Sequence, residues 1–195
     1  MAPPNVVPFG EPTLEHLGVD ASSIDTASPL EQANEWSSAF AASIRNGDID
    51  SLVLLFHEHG FWKDILTLTW DLRTIRGHSS IRGLLDDHLA ATGLSAFHLL
   101  DDAIRGPTII RPLPDLVFIR FCFEFETKHG KGTSVVFLVP TSNGTWKAWS
   151  LLTQLVSLKA HPEKVGHPTS IRFSNGITRI SNPADWCFAC TSLSP

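Results

Sequence analysis

The segment Leu116–Thr127, reading LVFIRFCFEFET, constrains the fold of this chain more than any other. Successive side chains of a strand point to opposite faces, so Val117, Ile119, Phe121, Phe123 and Phe125 make one wholly apolar face. Phe118, Arg120, Cys122, Glu124 and Glu126 make the other, which mixes charge with apolar groups as pocket walls and dimer surfaces both do. The alternation leaves open which face points inward. An apolar face of this length needs a covering layer, and the flanking sequence shows what supplies it.

Upstream, Ser28-Pro29-Leu30-Glu31 joins a capping box to a proline at the first helical position, and Ala33, Trp36, Phe40 and Ile44 follow near the helical period. Asn46-Gly47 ends that helix, and Asp48 can cap a second that buries Ile49, Leu52, Val53 and Phe56 and stops at Gly60. From Phe61 to Arg76 a run of Trp, Ile, Leu and Thr without Pro or Gly predicts two short strands or a bent strand pair, closed by Gly77. Ser79 can cap a third helix with Ile81, Leu84, Leu85 and Leu89 on one stripe, ending at Gly93.

Strands are predicted downstream at 97–105, 116–127, 133–140 and 145–157, the last three as a meander. Pro112 and Pro114, the stretch Lys128 to Gly132, and Ser142-Asn143-Gly144 separate them. Helices first and strands after is an α+β order: a cone-shaped, curved antiparallel sheet covered by three helices from the N-terminal half, enclosing a pocket. The expected cone domain spans 28–160. Before it, an arm at 1–27 carrying Pro3, Pro4, Pro8 and Pro12 lies on the body or stays mobile, and a C-terminal extension at 161–195 follows.

A chain of 195 residues is enough for one domain with a full core. Twenty acidic against fifteen basic side chains, a net charge of −5, leave no basic stripe for a phosphate backbone, so nucleic acid is not an expected partner. No apolar run approaches the roughly 20 residues of a membrane helix. No basic residue precedes Arg45, where a leader needs one, so a cytoplasmic protein without membrane contact is expected. The three cysteines cannot all pair. Cys122 reads as a buried free thiol, and Cys187-Phe188-Ala189-Cys190 as incidental, since it lacks the strand-to-helix context of a redox site.

The candidate chemistry centres on Asp64. On a strand it shares a face with Trp62, and a carboxylate desolvated beside an indole suits proton abstraction or the activation of a water. The alternative is an exposed Asp64, or one paired with Lys63 or Arg73. Asp71 and Arg73 also share a face and either orient a substrate or form a plain salt bridge. Arg120 and Glu124 complete an acid/base set if their face is interior, and are surface charges if it is exterior. His57-Glu58-His59 lacks the helical His-Glu-x-x-His spacing and a third ligand, so no metal is expected, although either histidine, His57 or His59, can shuttle protons if it stands at the rim. Trp36, Trp62, Trp70, Trp146 and Trp149 supply aromatic surface either for a polycyclic ligand or for the core.

The order of elements resembles the nuclear-transport-factor-two-like, or SnoaL-like, cone. Gly47-Asp48-Ile49-Asp50-Ser51-Leu52-Val53 through Phe61-Trp62-Lys63-Asp64 is similar to the corresponding segment of the ketosteroid isomerases, and places Asp64 on that family's general base. Phe61 to Thr74, Phe125-Glu126-Thr127 and Trp146-Lys147-Ala148-Trp149 resemble the domain that precedes the FAD domain in fungal flavin-dependent monooxygenase-like proteins, a likeness covering roughly residues 30 to 167. Two departures accompany these likenesses. No Gly-x-Gly-x-x-Gly follows a strand, so no flavin or other cofactor is expected. The tyrosine that donates to the oxyanion in the isomerases is replaced by Phe40 in a chain without tyrosine, and the second donor falls near Thr133 or Ser134.

The resemblance implies a cofactor-independent isomerase, cyclase or (de)hydratase acting on a bulky apolar metabolite in fungal secondary metabolism. Asp64 would be the base, with Arg120, Glu124 or Thr133 stabilising charge. Trp62, Trp70, Phe40, Asp71, Arg73 and His57 would line the site. The alternative is a non-catalytic module that binds a ligand or a separate flavoenzyme. A homodimer through the sheet is also expected, on the ground that three short helices cannot cover the apolar strand face.

Overall fold

Ser28 begins the first long helix as its sequence requires: its hydroxyl accepts from the Glu31 amide at 3.4 Å, and Pro29 occupies the first helical position. This helix, α2 (Pro29–Asn46), follows a short α1 (Leu14–Leu17) and buries Ala33, Trp36, Phe40, Ser43 and Ile44. It ends at Gly47, whose φ of 65° is the left-handed conformation glycine adopts without steric cost. Asp48 then caps α3 (Ile49–Leu54), accepting from the Ser51 amide at 3.0 Å and the Ser51 hydroxyl at 2.6 Å. Residues 10–21, 24 and 27–161 are described in this computed structural model. The chain divides into two units, Met1–His161 and Pro162–Pro195, so Cys187, Cys190 and nearly all of the expected extension lie outside the described residues.

Seven strands follow: β1 (Phe56–Ile65), β2 (Leu72–Arg76), β3 (Ser95–Leu99), β4 (Thr108–Leu113), β5 (Leu116–Glu126), β6 (Gly130–Pro140) and β7 (Trp146–Leu158), with α4 (Gly77–Thr92) between β2 and β3. They form one curved, unclosed sheet in the order β2-β1-β7-β6-β5-β3, and β4 pairs with the first half of β5 where β3 pairs with its second. The sheet is antiparallel except for β1 on β7, which runs parallel. The fold is α+β, with helices on the concave face.

The apolar face of β5 points inward. Ile119, Phe121, Phe123 and Phe125 join Trp36 and Phe40 of α2, Leu52 and Val53 of α3, and Ile81, Leu84, Leu85 and Leu89 of α4 in one buried cluster, while Val117 packs with Leu14 and Ile24 of the arm. The helices therefore cover the face that was expected to need a second subunit. Gly132 is required where this core meets the sheet, because a Cβ there would lie 2.2 Å from the Phe125 ring and 2.8 Å from the Gln154 carbonyl.

Several boundaries differ from the sequence reading. The second helix stops at Leu54, and Phe56 opens β1, so Gly60 sits at a register shift in a strand instead of ending a helix. α4 starts at Gly77 with Arg76 as its uncapped N-cap position, not at Ser79. The strand expected at 97–105 ends at Leu99, and residues 101–106 form a turn. β4 occupies a stretch where Pro112 predicts a break between strands; proline is tolerated on an edge strand, where its missing N–H faces no partner.

Candidate functional site

Asp64 lies on the concave face of β1, opposite Thr153 of β7, which pairs in turn with Ser134 of β6. Trp62, two residues earlier, shares that face, and both side chains are wholly buried. The Trp62 indole Nε1 donates to Thr153 Oγ1 at 2.8 Å, and Thr153 Oγ1 donates to Asp64 Oδ1 at 3.1 Å. The remaining contacts come from the loop joining β1 to β2. The Leu68 amide reaches Oδ1 and Oδ2 at 3.0 and 3.1 Å, and the Thr69 amide and hydroxyl reach Oδ2 at 2.9 and 3.0 Å. Four neutral donors thus hold the carboxylate, three of them from residues 68 and 69.

Neither ion pair considered for Asp64 forms. Lys63 projects outward, and Arg73 pairs with Asp71 at 3.4 Å on the exposed surface, the plain salt bridge. Leu68 carries the loop into the core cluster of Trp62 and Phe125. Its neighbours face water: Leu66 is 38% exposed, Trp70 65% and Leu72 68%. Trp70 therefore lines no interior pocket and meets the edge of His129 at 5.7 Å. Phe40 is core, with ring contacts to Trp36, Trp62, Phe97 and Phe123.

Arg120, Glu124 and Thr133 are not brought to Asp64. They lie on the outer face of the sheet, because the helices can bury only the apolar face of β5. Glu124 and Thr133 are cross-strand partners in a groove of about 300 Å³ that also contains His98, Glu126 and Lys131. Arg120 donates from Nη2 to the Ile104 carbonyl at 2.5 Å, and its Nε is buried without a hydrogen-bond partner. Beside it, burial pushes the Cys122 thiol up despite Arg120 and Arg105, which disfavours the thiolate. Among the described residues no group of three or more His, Cys, Asp or Glu is placed to hold a metal.

His57, near the start of β1, lies 5.3 Å from the Trp149 ring and 5.7 Å from that of His59. Burial holds its imidazole below the ordinary 6.5, opposed by Glu58. Three carboxyls are also held low: Glu126 by Lys159, Asp102 by the Arg105 amide and side chain, and Asp48 by the Ser51 hydroxyl and amide. Each of these four groups binds a proton more readily when unfolded, so stability rises with pH through the interval between its folded and unfolded values. The melting temperature should fall as pH drops below 6.5, and again through the carboxyl range. His57→Gln removes the first step. Thermal melts across this range check it, and a midpoint that rises on acidification from about pH 7 to about pH 5 contradicts it.

Thr69 and Thr153 were missed by the sequence reading. Thr153 left a faint signal as a hydroxyl amid an apolar strand, whereas Leu68 and Thr69 were hidden inside a predicted strand pair. Among the described residues no helix is long and apolar enough to cross a membrane.

The chain matches no protein-family model and no curated protein. Solved structures similar to it include a ketosteroid isomerase-like protein from Erwinia carotovora atroseptica, with 12% identity over 67% of this chain and 98% of that one, at a TM-score of 0.49. An NTF2-like protein with a cystatin-like fold from Novosphingobium aromaticivorans has 20% identity over 70% and 87%, at 0.49. The hexachlorocyclohexane dehydrochlorinase LinA-type3 from Novosphingobium barchaimii has 9% identity over 70% and 91%, also at 0.49. Likeness at this level is one of outline.

Proposed function

We propose that this chain is a cofactor-independent acid/base catalyst that isomerises, cyclises, hydrates or dehydrates a bulky apolar metabolite of secondary metabolism, with Asp64 as the base. One observation carries the reading: Asp64 is the only wholly buried acidic or basic side chain among the described residues, and no cation compensates it. Holding a charge away from water costs several kcal/mol, and a neutral side chain would pin a loop at lower cost. A carboxylate kept there, on the concave face beside Trp62, is a candidate for chemistry. In this reading Asp64 takes a proton from substrate carbon or from a water. Thr153, itself held by Trp62, positions the Oδ1 oxygen. Trp62, Phe97 and Phe125 flank the apolar body of the substrate.

The second reading is a non-catalytic module that binds a ligand or a separate flavoenzyme. It is favoured by the full complement of donors on Asp64 and by Phe40 in place of a hydroxyl donor. Metabolite profiles of the source organism with the gene intact, deleted, and carrying Asp64→Asn separate the two. A base makes the Asn strain accumulate the precursor that the deletion accumulates. A module leaves it like the intact strain.

The proposal includes a homodimer, now through the outer face. Ile110, Phe118, Phe137, Cys122, Val135 and Leu152 line up there across adjacent strands, and Phe118 meets Phe137 edge-on at 5.9 Å. Sedimentation equilibrium at micromolar concentration should give twice the chain mass. A monomer contradicts this part.

A further inference from the structure

We propose that the β1–β2 loop, residues 66–71, is an internal plug, and that an apolar ring compound bearing one hydrogen-bond donor enters the cone by displacing it. The proposal rests on Asp64 as the functional group and adds how it is reached. Three of the four donors on Asp64 belong to Leu68 and Thr69, so lifting the loop uncovers the carboxylate in the same movement that withdraws the Leu68 side chain from the core. Only Thr153 stays behind. The space vacated has the chemistry of what left it: an apolar body within the core cluster that Leu68 shares with Trp62 and Phe125, and a donor facing Asp64.

The loop is built to leave. Leu66 has φ 61°, a conformation that side-chain-bearing residues seldom hold. Leu66, Trp70 and Leu72 already present large apolar side chains to water at its two ends. Among the described residues one backbone–backbone bond crosses it, Leu66 N to the Asp71 carbonyl at 3.2 Å, joined by the Thr69 hydroxyl on the same carbonyl at 3.5 Å. Closed, the plug gives the charge its donors; open, it cedes that place to a ligand.

The probe is N-phenyl-1-naphthylamine, which is uncharged, has two aromatic units and carries one N–H. Hydrogen exchange of the whole wild-type chain is followed by NMR with and without it. The Leu68 and Thr69 amides should exchange roughly a hundredfold faster than those of β5 and β6, through local opening. Saturating probe should speed them further while leaving β5 and β6 unchanged. Leu68→Ala should bind the probe about tenfold more tightly, since the plug no longer competes. Exchange at Leu68 and Thr69 as slow as in the sheet, or unmoved by bound probe, overturns the plug, as does equal affinity in Leu68→Ala. If Leu68→Ala does not fold, exchange in the wild type still decides. An Asp64→Asn strain that keeps its product refutes the catalytic reading alone, because the exchange measurement does not depend on turnover.

Discussion

Asp64→Ala should lower the melting temperature by roughly 10 °C, the largest loss expected of any single polar substitution among the described residues. It leaves the amides of Leu68 and Thr69 and the hydroxyls of Thr69 and Thr153 without their acceptor. Each buried donor left unsatisfied costs about 1–3 kcal/mol, and partial rescue by water or by the Asp71 carbonyl brings the sum to about 3–5 kcal/mol. Asp64→Asn is milder, at about 1–2 kcal/mol. Its amide oxygen can occupy the Oδ2 position and still accept from Thr69 N and Oγ1, while its NH2 group turns toward Thr153 Oγ1. Differential scanning calorimetry of both variants checks the order. Equal midpoints for Ala and wild type would mean that the loop is not held by Asp64.

Phe40→Ala should cost about 3–5 kcal/mol, the range for removing a buried aromatic ring. Phe40 is 1% exposed and stacks on Trp36 at 5.0 Å, with Phe97, Phe123 and Trp62 at 5.5, 5.7 and 5.9 Å. It joins α2 to β1, β3 and β5 at one point, so its loss opens a cavity whose rigid aromatic walls cannot collapse. Urea unfolding gives the number. A loss under about 1 kcal/mol would show a core that repacks freely, and would return Phe40 to the pocket-lining role its position in the sequence suggested.

What was legible in the sequence follows from periodicity. The apolar stripes of α2 and α4 and the inner face of β5 were readable because helix and strand repeats sort side chains by face. Ser28, Gly47 and Asp48 were readable because each end of a helix leaves backbone groups that a few residue types satisfy. The start of β1 was not, since Phe56 continues the spacing of Leu52 and Val53 and a short apolar run suits helix and strand alike. That Asp64 and Trp62 share a face was also legible. The partners of Asp64 were not: Leu68 and Thr69 reach it only through the path of a loop, and Thr153, 89 residues away, only through the parallel pairing of β1 with β7. Arg120 and Glu124 illustrate the converse. Their shared face was correctly read, but whether it lay inside depended on how much apolar surface the helices brought to the other.

In the proposed function Asp64 does chemistry as well as holding its loop. The most direct measurement is the precursor level in a strain carrying Asp64→Asn, set against the deletion strain, once circular dichroism and a thermal melt show the variant protein folded. A folded variant is expected, with accumulation of the same precursor as the deletion, its mass relative to the product naming isomerisation or gain or loss of water. A folded variant with the wild-type profile would contradict it, leaving Asp64 as the clasp of its loop.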